Sequence, residues 1–179
     1  MPKYFAFLRA INVGGHTVKM DYLRALFEAL GFANVETFIA SGNVIFDSPS
    51  RSGKSLENKI EAALEQALGY EVITFVRNAR KLAACAACEP FAESDAKAVG
   101  HTSYVGFLKS IPGDAARKQL MSLANKDHDF HLSNREVYWL SRVSFSDSTI
   151  SGTVLAKSLG QPTTLRNITT IKRLASKYC

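Results

Sequence analysis

Residues able to do chemistry concentrate first in "LRAINVGGHTVKM", residues 8–20, where Arg9, Asn12, Gly14, Gly15 and His16 follow an apolar run. A glycine loop that enters a helix can aim backbone N–H groups at an anion, and the helix dipole adds to the attraction. Arg9 suits the same task, because its planar fork matches a phosphate or a carboxylate. The loop follows neither the dinucleotide nor the P-loop glycine pattern, and no acid stands where a dinucleotide fold needs one. Adjacent glycines also let a chain turn sharply with no ligand involved.

A second polar, glycine-bearing stretch is Ser41, Gly42 and Asn43. A third is Arg166-Asn167, where Asn167 can cap a helix while Arg166 and the free N–H groups of its first turn hold an anion. The other candidates are weaker. Cys85 and Cys88 have redox spacing but fall at the C-terminal end of a helix, where the dipole disfavours a thiolate. His128 and His131 are three apart on a strand and leave its opposite faces. Neither a nucleophile elbow nor paired carboxylates appear in these loops, so whether the chain is an enzyme stays open.

The elements around these residues repeat a pattern. "KYFAFLRAI" reads as a central strand, and "VKMDYLRALFEALG" as a helix with Met20, Leu23, Leu26, Phe27 and Leu30 on one face. "NVETFIASGNVIFDS" is a hairpin turning at Ser41-Gly42. Ser55 is placed to cap "LENKIEAALEQALG", and "YEVITFVR" is a fourth strand. The order β-α-β-β-α-β is the ferredoxin-like unit. In a 4-1-3-2 sheet, the end of strand one and the turn between strands two and three share an edge. Arg9, Asn12, Gly14, Gly15 and His16 should therefore meet Ser41, Gly42 and Asn43.

After a helix capped by Asn78 and a polar stretch, the pattern begins again. Shifted by 100 positions, Tyr4, Phe7, Leu8 and Ile11 meet Tyr104, Phe107, Leu108 and Ile111, with Arg9 opposite Lys109. Asp114 should cap a helix, and "DFHLSNREVYWLS" a hairpin turning at Ser133-Asn134, with one of Tyr138 and Trp139 inward and the other outward. "TVLAKSLG", "QPTTL" and a final helix from Asn167 complete the second unit. The expected fold is α+β, two ferredoxin-like halves at 1–77 and 102–179, joined by a helical connector at 78–101.

"LRAINVGG", "VKMDYLRALFEALGF", "TFIASGNVIFDS", "EPFA", "REVYW" and "LGQPTTLRNITTIKRLA" occur in the order found in the domain of unknown function 1697 family, which the chain resembles almost end to end. The resemblance implies two ferredoxin-like halves and no established activity. By matching position, the family's polar signature falls on Arg9, Asn12, Gly14, Gly15, Ser41, Gly42, Asn43, Arg166 and Asn167. Glu89 departs from the asparagine usual before Pro-Phe, and "RVSFSDSTISGTV" departs from the family's pattern in that loop.

The chain has 179 residues, a net charge of +6 and three cysteines. An odd cysteine count gives no disulfide framework, and no apolar stretch approaches the ~20 residues of a membrane span. No secretory leader pattern opens the chain, so a cytoplasmic protein is expected. No acid follows Asp147, while Lys157, Arg166, Lys172, Arg173 and Lys177 do. The reading is a protein that binds a small anionic ligand, a nucleotide or phosphorylated metabolite, at the edge of the glycine loop and hairpin turn, with Arg166 and Asn167 as a second contact. The alternative is a nucleic-acid-binding module using the basic C-terminal segment. No segment matches the RNA-recognition signature, and neither a cofactor nor an oligomeric state is legible.

Overall fold

The computed structural model describes residues 1–12, 15–39 and 42–179. Two compact units are resolved, one of residues 1–83 with 174–179 and the other of residues 84–173. Each holds a four-stranded antiparallel sheet with helices, so the fold is α+β with two ferredoxin-like halves.

In the first unit, β1 (Lys3–Leu8), β2 (Ala33–Thr37), β3 (Asn43–Asp47) and β4 (Thr74–Asn78) lie in the order β2-β3-β1-β4. Helices α1 (Met20–Ala29) and α2 (Gly53–Leu68) cover one face, with Leu23, Phe27, Leu56, Ile60 and Leu64 against Tyr4, Ala6, Leu8, Phe46 and Val76. Each of the leucine, isoleucine, valine and phenylalanine side chains among them contributes about 1.5–3 kcal/mol by leaving water. Phe5, Phe7, Ile45 and Phe75 on the other face are buried too. That burial of both faces explains the near-continuous apolar run of β1.

β4 is an edge strand, and its outward N–H groups find acceptors on α2. The Glu61 carboxylate accepts from Thr74 N at 2.8 Å and the Glu57 carboxylate from Val76 N at 2.8 Å. Two glutamates one helical turn apart thus blunt an edge that would otherwise template pairing. Glu57 also lies 3.8 Å from the buried Arg77 guanidinium. The N-cap of α2 is Ser52, whose hydroxyl accepts from Ser55 N, so the expected cap at Ser55 lies one turn too late.

The second unit repeats the topology with β5 (Thr102–Phe107), β6 (His128–Ser133), β7 (Glu136–Ser141) and β8 (Thr164–Asn167), ordered β6-β7-β5-β8. Helices α5 (Asp114–Met121) and α6 (Gly152–Leu159) pack Leu120, Leu155 and Leu159 on Trp139, Val137 and Phe130. Gly106 is required here, since a Cβ would stand 2.6 Å from Val137 Cγ1 and 2.9 Å from Thr163 Oγ1.

Three local expectations are corrected. Gly113 is the N-cap of α5, with no side-chain cap bond, and Asp114 is the first helical residue, where its charge still suits the dipole. The second hairpin turns at Asn134-Arg135, with Asn134 at φ 52°. Tyr138 and Trp139 are both buried, because both faces of this sheet are covered.

Between the sheets in sequence run α3 (Ala79–Ala87) and the single turn α4 (Glu93–Ala96), and α7 (Ile168–Tyr178) follows β8. Asn78 caps α3 as expected, accepting from Lys81 N at 2.9 Å. No helix among the described residues is long and apolar enough to cross a membrane.

Candidate functional site

The register of β8 creates an opening in the second unit. Asn167, its last residue, pairs with Tyr104, so Ser103 and Thr102 of β5 have no β8 partner. The chain turns there into α7, and a cavity of about 330 Å³ lies beside the unpaired β5 rungs. Its walls come from four places: residues 88–91 after α3, Glu93 and Lys97 around α4, His101–Tyr104 with Tyr138, and Asn167–Thr169 with Lys172.

The wall is rich in donors. Thr102, Ser103 and Thr169 are hydroxyl-bearing residues of this wall, the Tyr138 hydroxyl donates to Cys85 O at 3.5 Å, and the first turn of α7 brings the positive end of its dipole. The Asn167 carboxamide oxygen accepts from Thr169 N at 2.9 Å, so this residue is both cap and cavity wall. Burial raises the Tyr138 pKa strongly, with the Cys85 and Cys88 thiols adding to the effect, so its hydroxyl stays protonated. The charges at the rim are matched: Lys172 lies 3.5 Å from Glu89, and Lys97 bonds Glu93. The Glu93 pKa is lowered by Lys97, and that of Lys97 is raised by Glu93.

His101 was unremarked in the sequence, and it closes one side of the cavity. Its Nδ1 lies 2.7 Å from the Asp95 carbonyl oxygen and 3.1 Å from the Asp95 carboxylate. Arg142, just past β7, grips that carboxylate with Nε at 3.0 Å and Nη2 at 2.6 Å, and reaches Asp129 at 3.2 Å. The guanidinium holds the Asp95 pKa below the ordinary carboxylate value.

In the first unit, the end of β1 and the hairpin turn meet at Leu8, Ile11 and Gly42. Leu8 N donates to Gly42 O at 2.8 Å, and a Cβ on Gly42, at φ +78°, would stand 2.8 Å from Ile11 Cγ2. The polar side chains there are used by the backbone, however. The Asn12 side-chain oxygen accepts from Val18 N at 2.7 Å, and Asn43 is buried with its amide donating to Phe38 O at 2.9 Å. Arg9 is half-buried, Gly15 is exposed at φ +85°, and the ring of His16 stacks on Tyr70 with centroids 3.8 Å apart. Gly14 and Ser41 lie outside the described residues.

Arg166 and Asn167, neighbours in sequence, point to opposite faces of β8. Arg166 is buried and donates to Thr164 Oγ1 at 2.8 Å and Leu165 O at 2.9 Å. Burial pushes its pKa down to about 10, so it remains charged near neutrality. Its counterpart is Arg77, since Phe5 pairs with Arg77 as Val105 pairs with Arg166. The signal for this was an "RN" dipeptide at the same point of each half, "VRNA" and "LRNI". Cys85 is buried and Cys88 half-buried, both as free thiols, and no group of three or more acidic, histidine or cysteine side chains among the described residues could hold a metal ion.

The family model for Protein of unknown function (DUF1697) matches residues 1–138. The chain belongs to this family. Among solved structures, the conserved bacterial protein SP0830 from Streptococcus pneumoniae superposes with a TM-score of 0.78 at 22% identity, covering 99% of this chain and 98% of that one. At that identity the likeness establishes the fold. No curated protein matches the chain.

Proposed function

We propose that the protein binds a small anionic ligand, a nucleotide or phosphorylated metabolite, in the cavity of its second unit. One observation carries the reading: a cavity of about 330 Å³ is walled by the first turn of α7, two lysines and several hydroxyls. Backbone N–H groups at a helix start suit an anion, and Lys172 and Lys97 stand at the rim beside them, each paired with a glutamate that an anion would have to displace. Phe91 and Pro90 give the same wall an apolar part for the rest of such a molecule. Of the residues singled out in the sequence, Asn167 is in this wall.

Two alternatives differ in place. The glycine-loop edge keeps Arg9 and Gly15 for an anion, while Asn12 and Asn43 hold backbone groups. The basic C-terminal segment keeps its charge for nucleic acid, but there Lys172 pairs with Glu89 and Lys177 lies 3.9 Å from Glu36. Both pairs lower the net charge that this segment offers to a polyanion.

A thermal-shift panel of inorganic phosphate, nucleotides, sugar phosphates and short oligonucleotides at low and high salt tests the reading. A ligand at about a hundred times its Kd adds roughly 2.7 kcal/mol to stability. The expected result is a saturable rise in Tm with a small anion, abolished by Lys172→Ala and kept by Arg9→Ala. A rise with oligonucleotides alone that vanishes at high salt would contradict it.

A further inference from the structure

We propose that His101 is a proton-linked contact for the anion in this cavity, its Nε2 taking up a proton as the anion binds. The inference rests on the ligand reading given above and adds a residue and a chemistry to it. A carbonyl oxygen only accepts, so the His101 Nδ1 that lies 2.7 Å from Asp95 O carries the hydrogen. The lone pair of the neutral ring is then on Nε2, and His101 is a wall residue of the cavity.

An anion oxygen arriving at that nitrogen meets a lone pair, so a proton must lie between the two, taken from solvent or from the O–H of a protonated phosphate. Once Nε2 carries the proton, its N–H donates to an anion oxygen in a charge-assisted hydrogen bond. The Nδ1–H bond to Asp95 is unchanged by this step, so the ring need not turn.

Charges of both signs face the ring. The Asp95 carboxylate stands 3.1 Å from Nδ1 and attracts an imidazolium. Arg142 offsets part of that attraction by binding the same carboxylate through two nitrogens. The other charges of the cavity come as pairs, Lys97 with Glu93 on α4 and Lys172 with Glu89, and so contribute little net field. The incoming anion therefore supplies the charge that tips the equilibrium, and binding draws a proton onto the protein.

The test uses the full chain labelled with ¹⁵N at histidine, with His101 assigned from its loss in His101→Gln. His128 serves as the internal control, because Trp139 Nε1–H donates to its Nδ1 at 3.1 Å and fixes the opposite tautomer. Near neutral pH without added anion, His101 should show the Nδ1–H pattern and His128 the Nε2–H pattern. Inorganic phosphate should move His101 toward the doubly protonated pattern, leave His128 in place, and bind about tenfold or more weakly to His101→Gln.

An Nε2–H pattern for free His101 would overturn the proposal. So would phosphate that shifts the Ile168 and Thr169 amides while His101 stays unchanged, and there the ligand reading would survive. Phosphate that moves neither would remove both.

Discussion

Asn78 and Asn167 stand at the same place in the two halves: each closes its last strand, pairs across the sheet with a tyrosine (Tyr4 or Tyr104), and caps the helix that follows. What differs is the environment, because Asn167 lines the cavity of the second unit. Replacing either cap with alanine should cost about 1 kcal/mol, measured by denaturant unfolding. Only Asn167→Ala should also change the affinity for a small anion; equal effects of the two variants on affinity would contradict the assignment.

The Glu89 carboxylate lies 3.5 Å from the Lys172 ammonium at the rim of the cavity. An anion must compete with that carboxylate. Exposed pairs of this kind are worth about 0.2–1 kcal/mol, so Glu89→Asn should tighten anion binding by no more than about fivefold. Calorimetric titration of the two proteins measures this directly. Weaker binding in Glu89→Asn would mean that the carboxylate helps the ligand.

Glu57 is a buried acid that serves an edge strand. Its carboxylate accepts from Val76 N and faces the Arg77 guanidinium. Removing one partner of a buried pair leaves the other charge uncompensated, at a cost of about 3–5 kcal/mol. Glu57→Ala should therefore unfold at much lower denaturant than wild type, with β4 amides exchanging fastest in hydrogen exchange. A loss below about 1 kcal/mol would show that Arg77 is held by its other contacts alone.

His128 predicts a pH dependence with a definite sign. Burial lowers its pKa, and the Trp139 N–H occupies the Nδ1 lone pair. The unfolded chain takes up the proton first, so stability is full above about pH 6.5, the ordinary histidine value, and falls as the pH drops through the native value. Thermal melts between pH 7.5 and pH 5 should show the decline, and His128→Gln should flatten it. Asp47 and Asp95 act lower on the scale. Burial would raise the Asp47 pKa, but hydrogen bonds from Asn34 and Lys3 more than offset it, and Arg142 lowers that of Asp95. Their contributions stay present down to about pH 4 and are lost below it.

Much of this was legible in the chain. Apolar spacing found α1 and α2, and a glycine after polar strand ends found the first hairpin. The echo of Tyr4, Phe7 and Leu8 in Tyr104, Phe107 and Leu108 found the duplication, and strand order alone brought Leu8 beside Gly42. What escaped depends on partners distant in sequence. The burial of Arg77 follows from a glutamate on α2, and Tyr138 is buried only because both faces of its sheet are covered. Asn12 and Asn43 carried the residue types of a binding loop, yet their side chains hold backbone groups, Asn12 at Val18 and Asn43 at Phe38. His101 lay in a polar stretch with no pattern of its own; its role comes from Arg142, more than forty residues away, fixing Asp95.

The central claim is the place of the ligand, and amide chemical shifts read it most directly. In a ¹H–¹⁵N correlation experiment on the full chain, titration with inorganic phosphate and then a nucleoside monophosphate should move Ile168, Thr169 and Ser103 saturably, with Asn12 and Gly15 unchanged. Saturable movement of Asn12 and Gly15 with a silent α7 would place the anion at the glycine loop and contradict the account.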